Sequence, residues 1–183
     1  MATLLLVGST SVMALDTEWF VGIGADRTTA EGTTTVGTSS STGSSKDTSA
    51  KIVAGTILNK NHRVSLSYSK FDADGAEFKT TSLNYDYLFT MESKFTPFIG
   101  LHYGITDGSI VDGTATMDDK GAVYGAQVGA LYAITNNIEF EANLAYSKSN
   151  FDSDIQVNGV TVANAKYELD KSTSLYVGFN YKF

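Results

Sequence analysis

Ser172-Thr-Ser-Leu-Tyr-Val-Gly-Phe-Asn-Tyr-Lys-Phe183 is the stretch that decides the fold. Leu175, Val177, Phe179, Tyr181 and Phe183 fall on one parity, and Ser174, Tyr176, Gly178, Asn180 and Lys182 on the other. A period of two marks a strand with one apolar and one largely polar face. Chain termini usually fray. A strand that alternates to its last residue therefore predicts a partner for the terminus itself, as when a sheet closes on itself.

The rest of the chain has the composition of such a sheet. Its 183 residues predict one domain. Cysteine is absent, which excludes disulfides and argues against a zinc site. Proline occurs once, at Pro97, while 17 glycines, 10 tyrosines and 10 phenylalanines suit many strands with aromatic girdles. No apolar run approaches the roughly 18 residues that a membrane helix needs. In a barrel only alternate residues meet lipid, so this leaves a β-barrel membrane protein open. A formal net charge of −7 argues against nucleic acid, whose phosphates need basic partners.

Residues 1–14 carry the apolar run Leu4-Leu5-Leu6-Val7 and end in Val12-Met13-Ala14. This predicts the end of a secretory signal peptide cleaved after Ala14, without a basic first region. Residues 15–183 then form a single exported domain. Eight segments alternate with period two: 17–28, 48–58, 63–72, 78–90, 95–106, 120–135, 138–150 and the terminal strand. The fourth is typical, with Leu83, Tyr85, Tyr87 and Phe89 against Ser82, Asn84 and Asp86. The second is least clean, because Val53 and Ile57 break the polarity of its other face.

Between them, 29–47 is rich in Thr, Ser and Gly and reads as a long mobile loop. Residues 73–77 form a brief loop, and 107–119 and 151–169 form longer ones, the last with a strand extension at 156–162 around Asn158-Gly159. Tight turns are expected at 59–62, 91–94 and 136–137. Long connections thus alternate with short ones, and strands of this length cross a hydrocarbon core when tilted about 45°. Short turns on one side and long loops on the other are the outer-membrane arrangement.

Three segments, Pro97-Phe98-Ile99-Gly100-Leu101-His102-Tyr103-Gly104, Gly125-Ala126-Gln127-Val128-Gly129-Ala130 and 175–183, resemble the eight-stranded outer-membrane barrels of the OmpA/OmpX type and their opacity-protein relatives. The resemblance implies an all-β, antiparallel, transmembrane up-and-down barrel in the outer membrane of a Gram-negative bacterium, monomeric, in contact with lipid and lipopolysaccharide. It also implies that Leu175, Val177, Phe179, Tyr181 and Phe183 are the signal read by the β-barrel assembly machinery. Members of that superfamily serve as structural proteins, adhesins, small pores and, rarely, lipid-modifying enzymes. Fold alone does not choose among these.

A charge facing lipid at midplane costs roughly 2–4 kcal/mol, so the apolar parities must face out. The interior then receives Glu18, Asp26, Asn84, Asp86, His102 and Gln127, followed by Glu139, Glu141, Asn143, Tyr176, Asn180 and Lys182. Buried charges need partners. Lys51 and Lys182 are the inward cations, expected to pair with Glu139, Glu141 or Asp86. Inward glycines such as Gly22, Gly100, Gly125 and Gly178 predict water-sized gaps in an otherwise filled lumen that does not conduct freely.

No catalytic, cofactor-binding or metal site stands out. His102 reads as a hydrogen-bonded interior histidine, because a hydrolase would also need a Ser and an acid within reach. His62 reads as a solvated turn residue. The acidic loops (Asp72, Asp74, Glu77; Asp107, Asp112; Asp118, Asp119; Asp152, Asp154) lack the spacing of an EF-hand and read as solvated, with cation bridging to lipopolysaccharide as the weaker reading.

The expectation is a non-enzymatic surface protein that contacts a host, phage or neighbouring cell through its long loops. The alternatives are a narrow solute pore, a lipid-modifying enzyme, and a soluble lipocalin-like barrel with its apolar face inside. Deleting Phe183 is expected to lower the yield of inserted barrel more than deleting Ser40 does, because Phe183 completes the paired apolar face. Equal yields of the two variants on a folded-versus-boiled gel would sink the assembly role of the terminal strand.

Overall fold

The C-terminus is paired, as its alternation predicts. Phe183 N–H donates to the Trp19 carbonyl (3.0 Å), and Trp19 N–H donates to the Phe183 carbonyl (3.4 Å). The computed structural model describes residues 16–73, 76–112, 115–157 and 160–183. The proposed leader at 1–14 lies outside these. Eight strands among the described residues follow in order: β1 (Thr17–Val36), β2 (Ser39–Leu58), β3 (His62–Ala73), β4 (Ala76–Leu88), β5 (Phe95–Asp112), β6 (Ala115–Ala133), β7 (Ile138–Val157) and β8 (Val160–Lys182). Each pairs antiparallel with its neighbours, and β8 closes on β1 through pairs such as Ile23 with Phe179.

The short turns lie where the sequence predicts. Asn59 (φ 50°) and Lys60 (φ 64°) take the left-handed backbone that a tight hairpin turn requires. The long connections differ from expectation. Residues 29–47 are not a loop, because β1 and β2 pair without interruption from Thr17–Leu58 to Val36–Ser39, turning at Gly37 (φ 62°). Outside the bilayer a strand needs no apolar face, so its Ser and Thr side chains hide the period of two. Thr favours extended backbone, and Thr33–Thr42 (3.2 Å) and Thr35–Ser40 (3.1 Å) hydroxyl pairs tie the two strands together. Ser40 therefore sits in a paired hairpin rather than in a mobile segment. Residues 107–119 and 151–169 are likewise largely strand: β5 and β6 pair up to Asp112 with Ala115, and β7 and β8 up to Val157 with Val160. The extension expected at 156–162 is present as the top of β7 and β8, and Asn158 and Gly159 lie outside the described residues.

The outward parities are those expected. Leu101 is 64% exposed, and Trp19, Ile23, Tyr103, Phe179 and Phe183 share its face. An apolar band encircling the barrel needs lipid as its solvent. It also excludes the lipocalin-like arrangement, which would turn these residues inward.

The interior is layered. At the short-turn end Phe20, Ile57, Leu88, Phe98 and Leu131 form an apolar floor, with Val53 packed against it. Val53 and Ile57 break the alternation of β2 because they face this floor. Above it lies Arg63, a cation that sequence analysis left unassigned. Its Nε donates to Asp86 Oδ2 (2.9 Å), Nη1 to Glu141 Oε2 (2.8 Å) and Nη2 to Glu141 Oε1 (3.1 Å). The guanidinium also lies over the rings of Phe98 (4.4 Å to centroid) and Phe20 (5.7 Å). Asp86 and Glu141 thus belong to Arg63, not to Lys51 or Lys182. Lys51 pairs with Asp26 (3.3 Å), and Lys182 bridges Glu139 and Glu18 (2.8 Å each).

The inward glycines leave no gaps around this layer. A Cβ at Gly100 would run into the Asp86 carboxylate, and one at Gly24 would meet the Tyr176 ring at 2.7 Å. Glycine here is the space that a large neighbour fills.

Arg63→Met keeps the unbranched apolar stem but removes the guanidinium and leaves Asp86 and Glu141 unpaired in the lumen. Breaking a buried ion pair from one side costs about 3–5 kcal/mol. The exposed pair Lys60–Asp16 (3.8 Å) sets the comparison, and Lys60→Met is expected to cost under about 1 kcal/mol. Urea unfolding in micelles, followed by gel mobility, measures both. Matching midpoints for the two variants would show that Arg63 does not organise the interior.

Candidate functional site

Above the Arg63 layer the lumen widens into a cup of about 410 Å³. It runs from Asp26 and His102 up to Thr34 and Gly43, near the tip of the β1–β2 hairpin. The strands supply its lining by parity. Inward positions of β3 and β4 give Ser67, Ser69, Thr80 and Ser82, and those of β7 and β8 give Ser147, Ser172 and Ser174. Small hydroxyl side chains at every second position leave space, whereas the larger residues below them fill it.

Several of these groups are already paired. Thr80 and Thr106 hydroxyls meet at 2.9 Å, and Asn84 Nδ2 donates to Ser67 Oγ (3.1 Å). His102 Nε2 lies 2.8 Å from Ser147 Oγ. This is the interior hydrogen bond expected of His102, and among the described residues no carboxylate holds its other ring nitrogen. A hydrolytic triad would need that acid to orient the ring. Lys51 Nζ, besides its bond to Asp26, lies 5.3 Å from the centroid of the Tyr176 ring. Asp26 is 4% exposed, and its Oδ1 has no hydrogen-bond partner among the described residues.

The outer face carries a second feature that sequence analysis missed. Just beyond the apolar band the outward positions are basic: Arg27, Lys46, Lys70, Lys79, Lys120, and the cross-strand neighbours Lys148 and Lys171. Period-two reading contains this signal, because Lys70 follows Tyr68 and Lys148 follows Tyr146 on the same parity. Some of the charge is answered in place. Glu77 bonds both Lys70 and Lys79 (2.6 Å to Lys79), Asp107 meets Lys120 (3.0 Å) and Glu31 meets Lys171 (3.1 Å). The hydrogen bond from Lys70, reinforced by Lys79, holds the Glu77 carboxyl below the usual carboxylate range. Arg27, Lys46 and Lys148 have no ionic partner among the described residues. Below Lys148, Tyr103, Tyr124 and Tyr146 surround an apolar outer groove floored by Gly125 and Ala126.

The remaining sequence-level candidates scatter. His62 is no solvated turn residue: it starts β3, its Nδ1 lies 2.8 Å from Tyr85 Oη, and it packs edge-on to Tyr87 (5.6 Å) in the aromatic girdle. The Asp72 carboxylate lies 3.6 Å from Lys70 Nζ as an ion pair, and its N–H donates to Asp47 Oδ2 (3.0 Å). Asp74 and the side chains of Asp112, Asp118, Asp119, Asp152 and Asp154 lie outside the described residues. The five terminal-strand residues Leu175, Val177, Phe179, Tyr181 and Phe183 all face outward and exposed.

Known structures carry the same architecture. Neisserial surface protein A is 22% identical over 89% of this chain and 97% of its own, with a TM-score of 0.64. The outer membrane protein OprG from Pseudomonas aeruginosa is 16% identical over 91% of this chain and 95% of its own, also at 0.64. Ail, the attachment invasion locus protein of Yersinia pestis, is 13% identical over 88% and 98%, at 0.52. At these identities the likeness speaks for the fold. No curated protein matches the sequence. The family model described as the outer membrane protein beta-barrel domain matches residues 2–183. With its lipid-facing band, short-turn floor and closed eight-strand sheet, the chain belongs to that outer-membrane β-barrel family.

Proposed function

We infer that the chain is a non-enzymatic surface-display barrel, exported behind a leader at 1–14, whose extended hairpins meet a host, phage or neighbouring-cell partner. The observation that carries this reading is the β1–β2 hairpin. From Arg27 in the basic collar it continues as paired strand for nine more residues, to Val36 before the turn at Gly37, roughly 30 Å of extended chain. A ladder of that length holds its tip at a fixed place and presents Ser and Thr hydroxyls in a repeating array. Binding groups on a rigid support lose less freedom on contact than groups on a mobile loop.

The lumen supports a display role over a pore. The apolar floor and the Arg63 layer occupy the cross-section at the short-turn end. The collar supports the orientation of the barrel: Arg27, Lys46 and Lys148 face the height at which anionic headgroups of the outer leaflet lie. Each basic residue near such a surface contributes about 1 kcal/mol of attraction. Phosphates of lipopolysaccharide are the fitting counter-charge there. The terminal strand, ending at Phe183, is then the segment handed to the assembly machinery.

Replacing residues 29–47 with a short Gly-Ser turn leaves the lower barrel intact, since β1 and β2 retain their pairs from Thr17–Leu58 to Arg27–Thr48. The expected result is an unchanged heat-dependent gel shift with loss of adhesion to the partner surface. Adhesion that survives the graft would exclude this hairpin as the contact. Substituting Arg27, Lys46 and Lys148 together by Gln is expected to lower the lipopolysaccharide that copurifies with the barrel several-fold. An unchanged amount, measured by its phosphate, would mean that the collar does not hold lipid headgroups.

A further inference from the structure

We propose that the cup above the Arg63 layer is a saccharide-binding site that takes a mono- or disaccharide from the hairpin side. Four observations converge on it. At about 410 Å³ the cup lies within the range of small-molecule sites. Filled with water alone, it would hold roughly a dozen molecules at about 30 Å³ each.

Second, Asp26 is buried, lines the cup and has one carboxylate oxygen without a donor among the described residues. A carboxylate oxygen held out of bulk water calls for a donor, and leaving it unmet is costly. Lys51 already neutralises the other oxygen at 3.3 Å. The floor therefore has little net charge with which to draw a cation, and what Asp26 Oδ1 lacks is an N–H or O–H.

Third, β3, β4 and β8 line the cup with hydroxyls, Ser67, Ser69, Thr80, Ser82, Ser172 and Ser174 among them. Each hydroxyl donates once and accepts twice, so the lining matches a ligand that does the same at several adjacent positions. A polyol replaces the hydrogen bonds of ordered water like for like. An alkyl ligand would strand them.

Fourth, one wall is aromatic. Phe71 and Phe78 are cross-strand partners facing the cup, with ring centroids 6.0 Å apart and planes tilted by 48°. Their negative ring faces favour the polarised C–H face of a sugar ring. A polar wall opposite aromatic rings discriminates a cyclic polyol, which has both kinds of surface, from water and from a linear apolar molecule. The floor below is closed by Arg63, Asp86 and Glu141, so the ligand enters and leaves by the same mouth. The cup is a receptor site, not a passage. It does not depend on the hairpin being adhesive.

The test is titration of the isotope-labelled barrel in phosphocholine micelles, which avoids sugar-headed detergents, with glucose, galactose and N-acetylglucosamine, and with octanol as the apolar comparison. Backbone shifts at Asp26, Lys51, Phe71, Phe78 and His102 should saturate for at least one sugar, with a dissociation constant near 1 mM or tighter. They should not respond to octanol. The double variant Phe71→Leu with Phe78→Leu, checked for folding by its boiling-dependent gel shift, should weaken that sugar at least several-fold. Asp26→Asn should also weaken it, since a neutral amide oxygen is a poorer acceptor. Three results overturn the proposal: no saturable shift from any of the three sugars, octanol shifting the same residues, or sugar binding that is indifferent to loss of the two rings.

Discussion

Arg63 between Asp86 and Glu141 is the interaction on which the rest of the interior depends. All three side chains are almost fully buried. A guanidinium taken out of water is tolerated only when its donors are met, and here three donors reach two carboxylates while two phenyl rings cover its faces. The carboxylates are satisfied in turn. Gln127 Nε2 donates to Asp86 Oδ1 (2.5 Å), and Asn180 (2.8 Å) and Asn143 (3.0 Å) donate to Glu141. The network therefore joins β3, β4, β6, β7 and β8 across the lumen. A one-residue slip in any of these strands would turn a charged or amide side chain into lipid, so the same bonds that fill the barrel also fix its register.

Much of this was legible, and the parts that were not have physical reasons. Inside the bilayer lipid on one side and a packed lumen on the other enforce alternation, and every strand there could be read from residues such as Leu83, Tyr85 and Tyr87. Closure could be read from Phe183. Beyond the bilayer that constraint ends. Residues 33–35 and 40–42 form strands with polar side chains on both faces, and the pattern that marks a strand disappears while its backbone ladder continues. Arg63 is the second residue of β3, close after the Asn59–Lys60 turn, and a basic residue beside a turn looks solvated. Only the parity it shares with Ser65 and Ser67 places it inside. Val53 and Ile57 looked like errors of pattern because the interior was expected to be polar throughout, whereas its lowest layer is apolar.

The cup shows the same limit. Its Ser and Thr positions were legible as inward, but their joint effect depends on how much of the lumen larger side chains fill. That is set by Tyr176, Phe98 and the glycines that make room for them, and no single strand reveals it. The pairing of Lys51 with Asp26, which leaves one carboxylate oxygen open, likewise depends on the β1–β2 register. Along the barrel axis the molecule passes from an apolar floor, through an ionic layer, to a hydroxylated cup and finally to rigid polar hairpins. The lower half packs the lumen, and the upper half holds the cup and the extended hairpins.

The central claim is that the Arg63 layer and the apolar floor close the lumen. Planar-bilayer recording of the purified, folded protein tests it most directly. The account predicts a membrane whose conductance stays at baseline across the voltage range. Stable, ion-selective steps of uniform size from the pure protein would contradict it, because they would require a continuous water path past Arg63, Asp86 and Glu141.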